Sequence, residues 1–381
     1  MLVLIIEIKN VYLGESASSR KYVLIPPLEL ALMGRERPIP QDGIGMDGDV
    51  SADKRDCDVD TDAMAEFAKA LFDRSWMERM EDDLAAMNEC KVGHPFVFPD
   101  SVIIWGLTLR AALDMSYRMA RGIVNVFLEE AGISGISLSQ FYARCMELAM
   151  PRMDGRADVD GRVLAFGSCG VTPSEEAISV AVDSTGISLN KYGGWLAHRW
   201  NKKPVSGWVK LHVAVDVETN RILSYAITDE SCGDPTCLDL LMEQVLSSGH
   251  RVRKLLADAA YDSKAAWTKY SDLGMEVAIN IRSSQLKKYG TTDGHFRGRS
   301  YGCMERGSQI KRIKKIGRDQ WKLEIGYGMR WKVECTFSDL KRLFGDILRA
   351  RARWNDVAET FQKVRVLNIY KNCRQSVQAG D

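Results

Sequence analysis

Two apolar runs in the second half of the chain, AISVAVD and KLLAD, each close on an aspartate, Asp183 and Asp258. Runs of this kind read as buried strands, and an acid at the carboxyl edge of such a strand stands where ligands of α/β sheets collect. A buried carboxylate without a partner is costly, and two brought together repel. A divalent cation removes both difficulties at once. Taken singly, each aspartate could instead begin a turn, because DSTG and DAAYD are both plausible turn starts.

A third acid comes from IGYGMRWKVECTFSDLKRLFG, which reads as a long helix beginning near Gly326. At about 100° per residue, Tyr327, Arg330 and Lys341 fall within about 40° of Glu334 and form one polar stripe. Val333, Phe337, Leu340 and Phe344 occupy the adjoining sector, so the stripe borders the core instead of opposing it. That placement suits a helix whose acid, guanidinium, phenol and ammonium face an enclosed anionic ligand. A salt-bridge ladder at i,i+4 accounts for Arg330 with Glu334 but leaves Tyr327 and Lys341 unexplained.

The elements that must position these residues follow from periodicity. Apolar residues recur at helical spacing from Thr61 to Cys90, and after the GHPFVFPD break further helices are expected over about 100–113, 115–131 and 137–149. The last two are joined by GISGIS, a turn of the helix-turn-helix kind, with SLSQFYARC offering Ser139, Gln140 and Arg144 to a DNA groove. An all-helical packing domain explains the same pattern without DNA. From Val171 the pattern turns to strands: EEAISVAVDSTG, then a hairpin within GWVKLHVAVDVETNRILSYAITDE, then alternating helix and strand through EVAINIR. This predicts an α/β fold, a mixed sheet flanked by helices. A basic insertion, 283–322, precedes the Glu334 helix, and a last helix over about 354–371 closes the fold. On strand WVKLHVAVD, Lys210 and His212 alternate with apolar residues and could face the same side as the acids, although a structural histidine fits as well. The expected division is 1–60, an extension with an Asp-rich linker; 61–165, a helical DNA-binding domain; and 171–374, a catalytic domain.

Charge supports a polyanionic partner. The 381 residues carry 52 Lys plus Arg against 51 Asp plus Glu, with 45% apolar composition, as in an ordinary soluble chain of two or three domains. Residues 282–374 nevertheless hold 23 Lys/Arg and 9 Asp/Glu, a local +14 that leaves the rest at −13. Tyr289, Phe296, Tyr301, Trp321 and Trp331 are interleaved with these cations, which suits a surface meeting bases as well as phosphates. Residues 42–62 carry eight aspartates and two cations and read as a flexible linker. The run LVLIIEI, broken by Glu7, is too short to cross a membrane and lacks the charged start of a secretory signal, so a cytoplasmic location without membrane partners is expected. The nine cysteines are scattered, with no C-x-x-C pair and no zinc-type Cys/His spacing, and are expected as reduced thiols.

Asp183 in DSTG, Asp258 in DAAYD, and Y-x2-R-x3-E-x6-K met by Tyr327, Arg330, Glu334 and Lys341 together resemble the DDE transposases of prokaryotic insertion sequences. The resemblance runs from about Gly93 to the C-terminal helix, including WVKLHVAVD, the basic RARARW stretch and VRVLNIYKN. DAAYD departs from the family where a Gly is frequent, and DESCGDPTC carries Gly233 where relatives often have His before the acid at Asp234.

The resemblance implies a ribonuclease H-like core whose three acids hold two Mg2+ ions, Mn2+ being able to substitute, with Asp183 shared and Asp258 and Glu334 each completing one site. It implies an enzyme that binds the terminal inverted repeats of an insertion sequence and performs metal-dependent cleavage and strand transfer on double-stranded DNA, as a homodimer in the synaptic complex. Tyr327, Arg330 and Lys341 would grip phosphates, Arg351 and Arg353 would add DNA contacts, and Trp321 would stack on an extruded base. A captured transposase acting only as a nuclease or as a DNA-binding protein is the alternative. Oxygen ligation suits magnesium or manganese and matches the lack of a Cys/His cluster in the sequence.

Overall fold

Every side chain of ILSYAIT is buried, as a strand covered on both faces requires, and the whole sheet is built around such segments. The computed structural model describes residues 5–7, 22–24, 50–149, 162–190, 206–288, 304–350 and 353–380. The chain divides into two units, one of residues 1–149, 342–344 and 369–381, the other of 150–341 and 345–368.

In the first unit, β1 (Ile5–Glu7) pairs antiparallel with β2 (Tyr22–Leu24). Among the described residues six helices follow: α1 (Val50–Leu71), α2 (Ser75–Glu78), α3 (Met80–Asn88), α4 (Asp100–Ala112), α5 (Tyr117–Glu130) and α6 (Leu138–Ala149). The first begins at Val50, not Thr61, and so takes in part of the Asp-rich segment expected as a linker. The helix expected to continue to Cys90 is interrupted after Leu71. There the Asp73 carboxylate accepts the Ser75 amide at 3.1 Å and its hydroxyl at 2.7 Å, local bonds that compete with helical ones. Trp105 centres this unit, its ring against Trp76 and Phe127 and its Nε1 donating to the Leu71 carbonyl at 2.8 Å.

Helices α5 and α6 flank the expected turn, which Asn125 holds by accepting the Ile136 amide at 2.9 Å and donating to its carbonyl at 3.2 Å. Of the side chains expected to face a groove, Ser139 and Gln140 are exposed. Arg144 instead turns inward, ion-paired with Asp100 at the start of α4 and stacked 4.3 Å from the Phe96 ring.

The second unit is a mixed α/β fold. Its strands are β3 (Val163–Ser168), β4 (Ile178–Asn190), β5 (Ser206–Asp216), β6 (Ile222–Thr228), β7 (Val252–Ala257), β8 (Glu276–Ile279) and the short β9 (Ile347–Leu348). They form one sheet in the order β3-β6-β5-β4-β7-β8, with β9 beside β4. β4, β5 and β6 are antiparallel neighbours, while β7 and β8 run parallel to β4. This is the ribonuclease H-like arrangement of a mixed sheet that the resemblance implies. The sheet begins at Val163, earlier than the expected Val171, with β3 pairing outside β6.

Directly opposed residues on paired strands share a face, which sorts the two sides of the sheet. Ser224 lies opposite Ala214 and donates to Leu241 on α7 (Asp234–Ser247), so α7 covers that face. Tyr225 lies opposite Val213 and meets Phe361, its ring centroid 4.9 Å away, which puts α13 (Arg353–Gly380) on the other face. The remaining helices are α8 (Lys264–Asp272), α9 (Ser283–Lys288), α10 (Met304–Ile316), α11 (Arg318–Glu324) and α12 (Trp331–Phe344). Trp267, Tyr270, Ile310, Ile313 and Trp321 from α8, α10 and α11 join Val182, Ala214 and Ala257 in one apolar core.

The basic insertion is therefore tied into the core. Arg306 on α10 is buried and donates Nε and Nη2 to the two Asp262 oxygens at 2.9 and 2.8 Å. Trp267 Nε1 and the Arg282 amide donate to the same carboxylate at 3.1 and 3.2 Å. Removing one partner of a buried pair strands the other charge. Arg306→Ala should therefore lower the unfolding free energy by about 3 kcal/mol or more, read by urea unfolding followed by tryptophan fluorescence.

Candidate active site

The register of β4 on β7 places the first two acids. The strands run parallel with Val182 opposite Ala257, so Asp183 and Asp258 leave that pairing side by side, at a strand separation of about 4.8 Å. Asp258 ends its strand as expected. Asp183 does not, because β4 continues against β5 as far as Asn190 opposite Ser206. A 3-10 turn, Ala259–Tyr261, starts just after Asp258, yet the Asp258 side chain makes no capping hydrogen bond to it. The turn-start alternative thus does not describe what this carboxylate does.

Glu334 stands in the first turn of α12, its side chain more than half exposed. The expected single helix from Gly326 is in fact a 3-10 turn, Tyr327–Arg330, followed by α12. Gly326 makes the entry possible with φ of +58°, a left-handed conformation costly for other residues. Residues three apart eclipse in a 3-10 turn, and Arg330 accordingly lies over the Tyr327 ring, 5.9 Å from its centroid. From there its guanidinium bridges two of the acids: Nη1 donates to Asp183 Oδ2 at 2.7 Å and Nη2 donates to Glu334 Oε1. Asp183 Oδ1 accepts its neighbour's amide, that of Ser184, at 2.8 Å.

Burial pushes the Asp183 carboxyl above its ordinary value, and the charges of Asp258 and Glu334 add to this against the lowering effect of the Ser184 amide and Arg330. The three acids therefore feel one another, with a cation held between two of them. An all-oxygen donor set in which negative charge accumulates fits a hard divalent ion.

The other expected site residues are placed differently. Tyr327 is buried, and its hydroxyl donates to the Ala257 carbonyl at 3.1 Å instead of opening toward a phosphate. Burial pushes that hydroxyl up to about 12, so it stays a neutral donor. Trp321, expected to stack on a base, is fully buried on α11, with Nε1 donating to Gln309 Oε1 at 2.7 Å. Its ring packs 6.1 Å from that of Tyr327, so it supports the site from within the core. Lys341 lies on α12, partly exposed. Arg351 falls outside the described residues, as do Tyr289, Phe296 and Tyr301, and Arg353 is described only as the start of α13.

Lys210 and His212 do not share the face of Asp183. Asp183 lies opposite Val213, whereas Ser184 lies opposite His212 and Gly186 opposite Lys210. On that reverse face Asp234 Oδ1 accepts Ser184 Oγ at 2.7 Å and pairs with Lys210 Nζ at 2.6 Å. This link between the α7 start and the neighbour of Asp183 was not legible from spacing, since the partners sit on separate elements. A Cys/His cluster, which the sequence did not suggest, is also present: ligand atoms of His212, Cys232 and Cys237 lie within 4.8 Å of one another.

Residues 176–369 match the transposase DDE domain family, a span of half the chain that contains Asp183, Asp258 and Glu334. The chain belongs to this family. Two solved structures are also similar to this DDE-family chain, both at 11% identity. One is a cryo-EM structure of a piggyBac transposase synaptic complex with hairpin DNA, with a TM-score of 0.37 over 84% of this chain and 76% of that one. The other is a Drosophila P element transposase strand transfer complex, with a TM-score of 0.27 over 80% and 85% of the two chains. Both likenesses are remote, and membership in the DDE family rests on the domain match. Among the described residues no helix is long and apolar enough to cross a membrane.

If Tyr327 is a support and not a phosphate ligand, Tyr327→Phe should cost about 1 kcal/mol of stability, the ordinary worth of one hydrogen bond. In thermal unfolding the variant should melt lower, and in DNA titrations its salt slope should equal that of the wild type. A reduced slope would return Tyr327 to the phosphate-binding set.

Proposed function

We propose that this DDE-family chain is the transposase of a prokaryotic insertion sequence, binding terminal inverted repeats and catalysing cleavage and strand transfer on double-stranded DNA. The observation that supports this reading best is the parallel register that sets Asp183 beside Asp258, with Arg330 joining Asp183 to Glu334. The residues of Y-x2-R-x3-E-x6-K divide their work: Tyr327 holds the strand end, Arg330 and Lys341 meet phosphate, and Glu334 is the third acid.

Asp183, Asp258 and Glu334 would hold two Mg2+ ions, or Mn2+. Such ions supply Lewis acidity at a scissile phosphate and make a bound water a better nucleophile. Arg330 is then the counter-cation that moves between carboxylate and phosphate, since its fork matches either partner. Among the described aromatics Trp331, exposed at the start of α12, is better placed than the buried Trp321 to meet a base. Residues 61–165 would bind the repeat and 171–374 would carry the chemistry, with Arg351 and Arg353 adding DNA contacts and two copies pairing the two ends.

The deciding experiment uses a labelled duplex carrying the repeat that flanks the gene, with magnesium or EDTA, and compares wild type with Glu334→Ala. Magnesium-dependent nicking at the repeat boundary, absent in the variant, is expected; binding without cutting in either condition would sink the catalytic reading. Asp258→Asn should retain end binding, read by gel shift, and lose cleavage by at least about a hundredfold, on the scale of removing an electrostatic group from a reacting site. Lys341→Ala should weaken end binding and reduce the salt slope by about 1, as expected for one phosphate contact.

A further inference from the structure

On the reverse face of the sheet, beneath α7, three side chains with softer donors converge. His212 on β5 and Cys232 and Cys237, at and just before the start of α7, are all buried. The two sulfurs are 3.9 Å apart. Two thiolates on a tetrahedral zinc ion, each bond about 2.3 Å, stand about 3.8 Å apart, so the pair already has the required spacing.

The imidazole is oriented for the same purpose. Thr228 Oγ1 donates its proton to the Asp229 carbonyl at 3.0 Å, so toward His212 Nε2, 3.1 Å away, it accepts. Nε2 therefore carries the ring proton, and Nδ1 presents its lone pair. Nδ1 is buried and makes no hydrogen bond among the described residues. A ring nitrogen fixed by a hydrogen bond on one side, with the other facing two sulfurs, is how a histidine ligand is prepared.

We propose that His212 Nδ1, Cys232 Sγ and Cys237 Sγ form a structural binding site for a divalent ion of the zinc class. Asp234 Oδ1, 3.7 Å from Nδ1, is held beside these three ligands by Lys210 and Ser184. Binding converts the two thiols to thiolates and releases two protons, so the ion, two thiolates and a neutral imidazole sum to zero charge in the buried site. Lys210 neutralises Asp234 beside it. The site clamps β5 to the start of α7, and through the Asp234 bond to Ser184 Oγ it braces the residue next to Asp183. It shares no ligand with the three-acid site and does not depend on the function proposed for that site.

The test is the metal content of the full chain, purified without chelator after expression in zinc-supplemented medium, and its absorption after cobalt replacement. One zinc per chain is expected, with thiolate-to-cobalt charge transfer and a tetrahedral ligand-field band. Zinc should protect Cys232 and Cys237 from alkylation in wild type, read by peptide mass spectrometry. Cys237→Ser and His212→Asn should each lose the metal, while Asp183→Asn should keep it. Wild-type protein without zinc and without the cobalt bands would overturn the proposal. So would undiminished zinc in Cys237→Ser, or a Cys232–Cys237 disulfide in the freshly purified protein.

Discussion

The parallel pairing of β4 with β7 is the constraint on which the site depends. It forces Asp183 and Asp258 to neighbouring positions at the end of a buried ladder, where two negative charges oppose each other in a poorly solvated place. Val180, Ala181, Val182, Leu255, Leu256 and Ala257 are fully buried, so the ladder that carries the acids lies inside the core. What surrounds the acids answers that repulsion: the Ser184 amide on one Asp183 oxygen and Arg330 on the other. Arg330 reaches them because the chain turns tightly after Gly326, and the turn is held because Tyr327 is anchored to the carbonyl just before Asp258.

Much of this was readable in the sequence wherever a residue's role follows from its own neighbours in the chain. An apolar run ending in an acid located Asp183 and Asp258, and the amphipathic pattern of WKVECTFSDLKRLF located the Glu334 helix. What could not be read depended on distant partners. The wheel put Tyr327 in phase with Glu334 only by assuming about 100° per residue throughout, and a 3-10 turn advances about 120°. Counting charge over 282–374 treated Arg306 as a surface cation, although it is buried against Asp262, and Arg312 as an unpaired one, although Glu324 holds it. Trp321 looked like a base-stacking candidate because composition cannot tell a core aromatic from an exposed one. The side of the sheet that His212 faces depends on a register set between β4 and β5, which alternation within one strand does not determine.

Arg306 on Asp262 pins the basic insertion, and Tyr327 on Ala257 pins the turn that enters the Glu334 helix. Both anchors hold to the end of β7 and the turn that follows it, so the position of Glu334 is referred to the same strand end that presents Asp258. That strand end is a common datum: whatever displaces the end of β7 displaces Asp258 and the entry to the Glu334 helix together.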